Sequence, residues 1–220
     1  MDKAYWAKFY SVHSSDVAIK DASTFAVFCQ SKFFKNDQKS IVELGCGNAR
    51  DAYYMAEQGH DVLAVDQSIS DSVRENKVHN RLQFLEDDFI QPSYHRDDIV
   101  TNEYHPDLLP VDVFYSRFTI HSITSEEQDK LLRKVFQCLR SGGLFCIEVR
   151  TTKDPKFGIG KHISDTTYFN DGHTRRFIDS QEFLNELLSL GFKLKYFNEQ
   201  DNLSVYKDDN PVLMRIILEK

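Results

Sequence analysis

Glu43, Gly45, Gly47 and Asp66 are the first residues whose types and spacing could do chemistry. The two glycines stand one residue apart in SIVELGCGNARDAYY, Ser40–Tyr54, where an apolar run meets a helix-forming stretch. A glycine turn leaving a strand lets backbone approach a ligand closely and opens a helix whose first N–H groups lack partners. Such a turn can also join strand to helix and hold nothing. A dinucleotide fingerprint needs a third glycine, and Arg50 stands there. A phosphate-binding G-x-x-x-x-G-K-[ST] loop is missing from the chain. Glu43 lies just before the turn. Asp66 ends the next apolar run, about 20 residues after Gly47, where a carboxylate can accept both hydroxyls of a ribose. Asp88-Phe89 follows the third run; an Asp there can take an adenine amino group, and an aromatic can pack on the ring. Acids around a turn without a phosphate-binding lysine suit a ligand with positive charge and no phosphate.

A second set of residues is basic. Arg117 and His121 lie in YSRFTIH, and Arg150 and Lys153 in EVRTTKD. His173, Arg175 and Arg176 lie in TTYFNDGHTRRFID. There Asp171-Gly172 sits between two β-prone runs and predicts a hairpin. Alternation along its second arm places His173 and Arg175 on one face and Arg176 on the other. Arg175 is then expected in the site, with His173 and Arg176 as substrate-side residues and Arg176 at the rim or structural. A solvated surface is the alternative for paired arginines on a hairpin. Guanidinium forks match phosphate or carboxylate. His121 has two readings, a general base for a hydroxyl acceptor or a ring packed below the site. Glu148, inside a predicted strand, faces either the site or a neighbouring helix.

These residues need elements to hold them. Ser40–Leu44, Asp61–Val65, Leu82–Leu85, Val111–Tyr115 and Leu144–Val149 read as buried strands. Helices are expected at Ala49–Gln58, Ser70–Lys77, Ser125–Leu139 and Ser180–Leu190. Gly59 ends the first of these, Ser125 with Gln128 would cap the third, and Ser141-Gly142-Gly143 would turn it into the fifth strand. The alternation predicts βαβ units and a mostly parallel sheet. Two final strands, FKLKYFNE and VLMRIILEK, have no helix between them and should pair antiparallel. Residues 1–38 read as a helical segment. In it Tyr5, Trp6 and Tyr10 are either an aromatic lid or an apolar stripe packed on the sheet. Residues 91–110 and 151–176 read as long irregular stretches, which in a compact domain tend to be functional or disordered.

The chain has 220 residues, enough for a single α/β domain, with 41 % hydrophobic and 28 % charged residues. No run approaches the roughly 20 apolar residues of a membrane span, and the N-terminus lacks a secretory apolar core. The four cysteines form no C-x-x-C pair, which argues against a metal site or disulfide framework and fits a reducing cytoplasm. A net charge of −7 without a basic tail argues against a nucleic-acid partner.

Taken together, VELGCGNARDAYYMAEQGHDVLAVDQS, FLEDDF, VDVFYSRFTIH and LRSGGLFCIEVR resemble the successive motifs of class I S-adenosylmethionine (SAM)-dependent methyltransferases, over about Ile41–Arg150. The wording is most similar to the tellurite-resistance-type and polysaccharide- and natural-product-cluster branches. Ala49 stands where that family usually has glycine. The resemblance implies a three-layer, Rossmann-like, seven-stranded sheet, mostly parallel with an antiparallel C-terminal strand and helices on both faces. It also implies SAM as cofactor and S-adenosylhomocysteine as product. Glu43, Gly45, Cys46, Gly47 and Asn48 would line the methionine end of SAM, Asp66 with Gln67 the ribose, and Asp88 with Phe89 the adenine. Ser116 and Arg117 would lie near the sulfonium. Asp51 would touch the amino-acid end or only complement its helix N-terminus. The basic set implies O-methylation of a small acidic acceptor (phosphate, phosphonate or carboxylate, possibly on a saccharide). Arg117, His121, Arg150 and Arg175 would do the chemistry, in a monomer or homodimer with no metal. The alternatives are a metalloid methyltransferase of the tellurite type and a SAM-binding regulator without turnover.

Overall fold

The computed structural model describes residues 20–35, 37–90 and 111–220. Tyr5, Trp6, Tyr10 and the stretch 91–110 lie outside them. The described residues begin with α1 (Thr24–Cys29), capped by Ser23 and continued by a π-helical turn at Gln30–Phe34. Then come β1 (Ser40–Leu44), α2 (Arg50–Glu57), β2 (Asp61–Asp66), α3 (Asp71–Asn76), β3 (Leu82–Glu86) and β4 (Val111–Arg117). A short 3-10 turn, Ile120–Ser122, leads to α4 (Ser125–Cys138) and β5 (Leu139–Arg150). Three short strands follow, β6 (Lys161–Ser164), β7 (Thr167–Asn170) and β8 (His173–Arg176). The chain closes with α5 (Ser180–Ser189), β9 (Lys193–Gln200) and β10 (Leu213–Glu219).

Seven strands form one sheet in the order β3-β2-β1-β4-β5-β10-β9. The first five pair parallel, and β10 runs antiparallel between β5 and β9. The order reverses between β1 and β4, so a crevice opens at the carboxyl ends of those strands. Strand residues alternate between two apolar layers. Val42, Leu44, Phe114, Ile147 and Val149 pack on one side with Leu131, Leu132 and Val135 of α4 and Phe183 and Leu187 of α5. Ile41, Val113, Tyr115 and Cys146 pack on the other with Phe25 of α1 and Ala52 and Met55 of α2. Each fully buried aliphatic side chain contributes about 1.5–3 kcal/mol, so these layers dominate stability.

Three expectations shift. The capping box of α4 is Thr124 with Glu127, one residue before the Ser125–Gln128 pair, because Thr124 holds the extended backbone a cap needs. Ser141-Gly142-Gly143 does not break the chain between helix and strand. β5 runs through it with a register shift against β4, and Gly142 and Gly143 bond to Lys220. The stretch 151–176 is not simply irregular; β6, β7 and β8 form a second antiparallel sheet, with the expected tight turn at Asp171-Gly172. Of residues 1–38, only those near α1 and its π-helical turn are described as helical.

Candidate active site

The glycine turn leaves β1 tied to the end of β2. Gly45 and Cys46 donate to the Val65 carbonyl at 2.8 and 2.9 Å, and Gly47 N–H donates to Asp66 Oδ2 at 2.9 Å. Gly45 has a φ of +73°, and a Cβ there would meet Thr119 Cγ2 at 2.7 Å. Thr119 is itself fixed by its hydroxyl, which donates to the Leu44 carbonyl at 2.7 Å. Glycine is therefore required on both backbone and steric grounds. Ala49 takes the left-handed conformation, φ 55°, as the N-cap of α2, and is fully buried. Asp51, on the first turn of α2, accepts from Ser23 N–H and Oγ (both 2.7 Å) and from the Tyr115 hydroxyl (2.8 Å). Its carboxylate thus fastens α1 to the sheet.

These elements bound a cavity of about 1170 Å³ at the carboxyl edge of the sheet. Its β1–β2 wall holds Glu43, Gly45, Cys46, Gly47, Asn48, and Asp66 with Gln67. Glu43 is 4 % exposed, and its Oε2 has no hydrogen-bond partner among the described residues. Burial, with the Asp51 charge nearby, pushes its carboxyl well above the usual carboxylate range.

The basic wall comes from β4 and the turn after it, β5, β8 and the β9–β10 connection. Arg117, His121, Arg150, His173 and Arg175 all line it. Arg117 donates to Glu148 Oε1 at 2.8 Å and to Ser204 Oγ at 2.8 Å, with its guanidinium 4.1 Å from the Phe118 ring centre. Glu148, fully buried, accepts from Arg215 through its other oxygen at 2.6 Å, so one carboxylate joins two guanidiniums. Arg150 donates to Asp154 at 2.8 Å and also pairs with Asp209. Arg175 Nη2 lies 2.7 Å from His173 Nε2. Burial and the charges of Arg175 and Arg150 hold His121 well below the usual histidine range. Burial and Arg175 bring His173 down to about 4. Both shifts favour the neutral ring, although Asp171 acts the other way on His173.

The family model for a methyltransferase domain matches residues 24–195. The chain belongs to the methyltransferase-domain family. Its fold is that of the class I SAM-dependent methyltransferases. No curated protein sequence matches it. Among solved structures, it is similar to the Burkholderia thailandensis 1,6-didemethyltoxoflavin-N1-methyltransferase with bound 1,6-didemethyltoxoflavin and S-adenosylhomocysteine. That match has a TM-score of 0.70 and 15 % identity, covering 99 % of this chain and 84 % of that one. The glycopeptide N-methyltransferase MtfA, complexed with S-adenosylhomocysteine, matches at TM-score 0.64 and 14 % identity over 90 % of each chain. A SAM-dependent methyltransferase from Clostridium acetobutylicum matches at TM-score 0.64 and 14 % identity over 97 % of this chain and 98 % of that one.

The residues of the β1–β2 wall fit SAM. The glycine turn offers backbone, Asp66 offers a carboxylate, and the lone Glu43 oxygen is an acceptor that a cationic ligand would satisfy. Several expected residues fall elsewhere in this methyltransferase. Phe89 is core, 1 % exposed and packed with Val65 and Phe114. Asp88 caps the backbone of Ile90, and neither residue lines the cavity. Ser116 is fully buried and shares the face of Phe114 rather than that of Arg117, since neighbours along a strand point oppositely. Arg176 also lies off the cavity; its guanidinium donates to the carbonyls of Ile123 (2.9 Å) and Ile120 (3.2 Å) and to Gln128 (2.6 Å), bracing β8 against α4. Lys153 reaches outward to Glu199 at 2.7 Å. Sequence reasoning missed Phe118, Thr119, Lys156, Ser204, Tyr206 and Asp209, all of which line the cavity. For Asp209 a signal existed. β9 runs parallel to β5, so whatever follows it must arrive at the same carboxyl edge. Among the described residues, no helix is long and apolar enough to cross a membrane.

Proposed function

We propose that this methyltransferase transfers a methyl group to an oxygen of a small acidic acceptor such as a phosphate, phosphonate or carboxylate. One observation carries the reading: Arg150, Arg175, His121 and His173 line the same cavity as the glycine turn, and burial with arginine charge disfavours a proton on either ring. Burial disfavours any charge there, but the arginine part of the effect, which repels a proton, favours an anion. Neutral rings in that field make poor bases and serviceable N–H donors. An oxyanion acceptor needs no base. When bound, SAM supplies an electrophilic methyl on a sulfonium, and attack by an oxyanion neutralises two charges. The chain's residues then have to orient and exclude water. Arg175 and Arg150 hold the anion, His121 donates to it, and Phe118 covers the approach. On the β1–β2 wall, Asp66 and the glycine turn hold the cofactor.

Release of S-adenosylhomocysteine from SAM tests the proposal across sugar phosphates, phosphonates, carboxylates, neutral sugars, amines and tellurite. Turnover of the anionic organic acceptors is the expected result. Turnover confined to amines or neutral sugars would refute the acidic-acceptor reading.

A further inference from the structure

The β9–β10 connection brings a carboxylate of the chain itself to the basic wall. Asp209 pairs with Arg150 through both of its oxygens and with Lys156 Nζ at 3.3 Å. Burial alone would raise its carboxyl. The bonds and charge of Arg150, with Lys156, outweigh that and hold it below the usual aspartate range. A fork gripping a carboxylate with a lysine beside it is the geometry that binds a carboxylate or phosphate ligand.

Asp154, the other acid on Arg150, differs from Asp209 in a telling way. Its side chain is fully buried, its Oδ2 accepts from Arg150 at 2.8 Å, and its Oδ1 accepts from Lys156 N–H at 2.8 Å. It is locked into the turn that follows β5. The Asp209 side chain is 26 % exposed and sits at the end of a tight turn, where Tyr206 and Asp209 exchange two backbone bonds of 2.9 Å. That turn is anchored on either side. Arg215 Nη2 holds the Leu203 carbonyl at 3.0 Å, and the Asn202 and Asn210 side chains clasp at 3.1 Å. A change confined to the tip between these anchors would move Asp209 off Arg150 without disturbing the sheet. The charges also balance. Arg150 and Lys156 face Asp154 and Asp209, two against two. Exchanging one carboxylate for another anion keeps that balance, whereas simple removal would leave two cations facing Asp154 alone.

We propose that Arg150 and Lys156 form the subsite for the acceptor's anionic group, and that Asp209 is its intramolecular occupant, displaced when the acceptor binds. This rests on the acidic-acceptor reading and sharpens it. Asp209 then sets specificity. An acceptor must carry an anion strong enough to replace a carboxylate already in place, so neutral molecules of similar shape are refused. The apparent affinity of any anion is reduced by the fraction of time Asp209 holds the site.

Calorimetric titration of the full chain with inorganic phosphate tests the exchange. Asp209→Asn should bind phosphate about tenfold more tightly than wild type, because an internal competitor is removed. Asp209→Ala, as a second variant, should gain similarly. Adding Lys156→Gln to Asp209→Asn should cancel most of the gain. A brace with only a structural role would lower the melting temperature of Asp209→Asn and leave phosphate affinity unchanged. Unchanged affinity in a folded Asp209→Asn protein overturns the exchange, whatever acceptors are turned over. Turnover confined to neutral acceptors overturns the acidic-acceptor reading, whatever phosphate does.

Discussion

The two walls of the cavity are built on different principles. The β1–β2 wall is mostly backbone, with Gly45, Cys46 and Gly47 tied to Val65 and Asp66 within one βαβ unit. The β4–β5 wall is mostly side chains, drawn from Arg117, His121, Arg150, Arg175 and Asp209 on separate segments. A backbone wall serves a ligand that does not vary. A side-chain wall can be rebuilt for a new acceptor without touching the fold. The difference predicts that substitutions on one wall leave the function of the other intact.

The largest effect is expected where the side-chain wall is rooted in the core. Glu148 is the shared counter-charge of Arg117 and Arg215. Glu148→Ala takes the shared counter-charge from two mostly buried guanidiniums and should cost about 3–5 kcal/mol of stability, read by denaturant unfolding. A loss under 1 kcal/mol would mean that solvent already screens the trio. Next comes the backbone wall. Asp66→Ala removes the acceptor for Gly47 N–H and the proposed ribose partner, and should weaken SAM binding about 100-fold by calorimetry. An unaltered SAM affinity would place the cofactor elsewhere. The pH response is smaller and belongs to the basic wall. His173 is neutral when folded, with its pKa near 4 against about 6.5 unfolded. Its contribution is therefore fully present above pH 6.5 and is lost as pH falls from there through 4. His60 and His121 shift in the same direction. Stability should fall below pH 6.5 by up to about 1.4 kcal/mol per pH unit for one such histidine. Glu43 and Glu186, shifted upward, act oppositely as pH rises. His173→Gln should flatten the acid-side fall, and an equally steep fall in that variant would remove His173 from the account.

The contrast between the walls also explains what the sequence made legible. Periodicity and turn residues are local signals, and they located the five parallel strands, the antiparallel close and the Asp171-Gly172 turn. The glycine turn and Asp66 belong to one local unit, so their convergence could be anticipated. The basic wall is a tertiary product. The side of β4 on which Ser116 lies was decidable by alternation, because Arg117 and Ser116 cannot share a face. Phe89 looked like a ring for adenine because nothing local distinguishes it from a core aromatic. Arg176 shows the same limit, since its partners on α4 and in the turn before it lie 48 to 56 residues away. Asp209 was hidden most deeply, in a connection whose importance follows from strand direction and not from composition.

Arg175 tests the independence of the two walls most directly. It lines the basic wall from β8, with its Nη2 2.7 Å from His173, on a segment separate from the β1–β2 unit. Steady-state kinetics with an anionic acceptor, paired with a SAM titration, should show Arg175→Ala raising acceptor KM about tenfold, the loss of a charge-assisted bond, with SAM affinity within twofold of wild type. An unchanged acceptor KM, or a loss that falls on SAM instead, would contradict a cavity divided between a backbone wall for the cofactor and a side-chain wall for an anion.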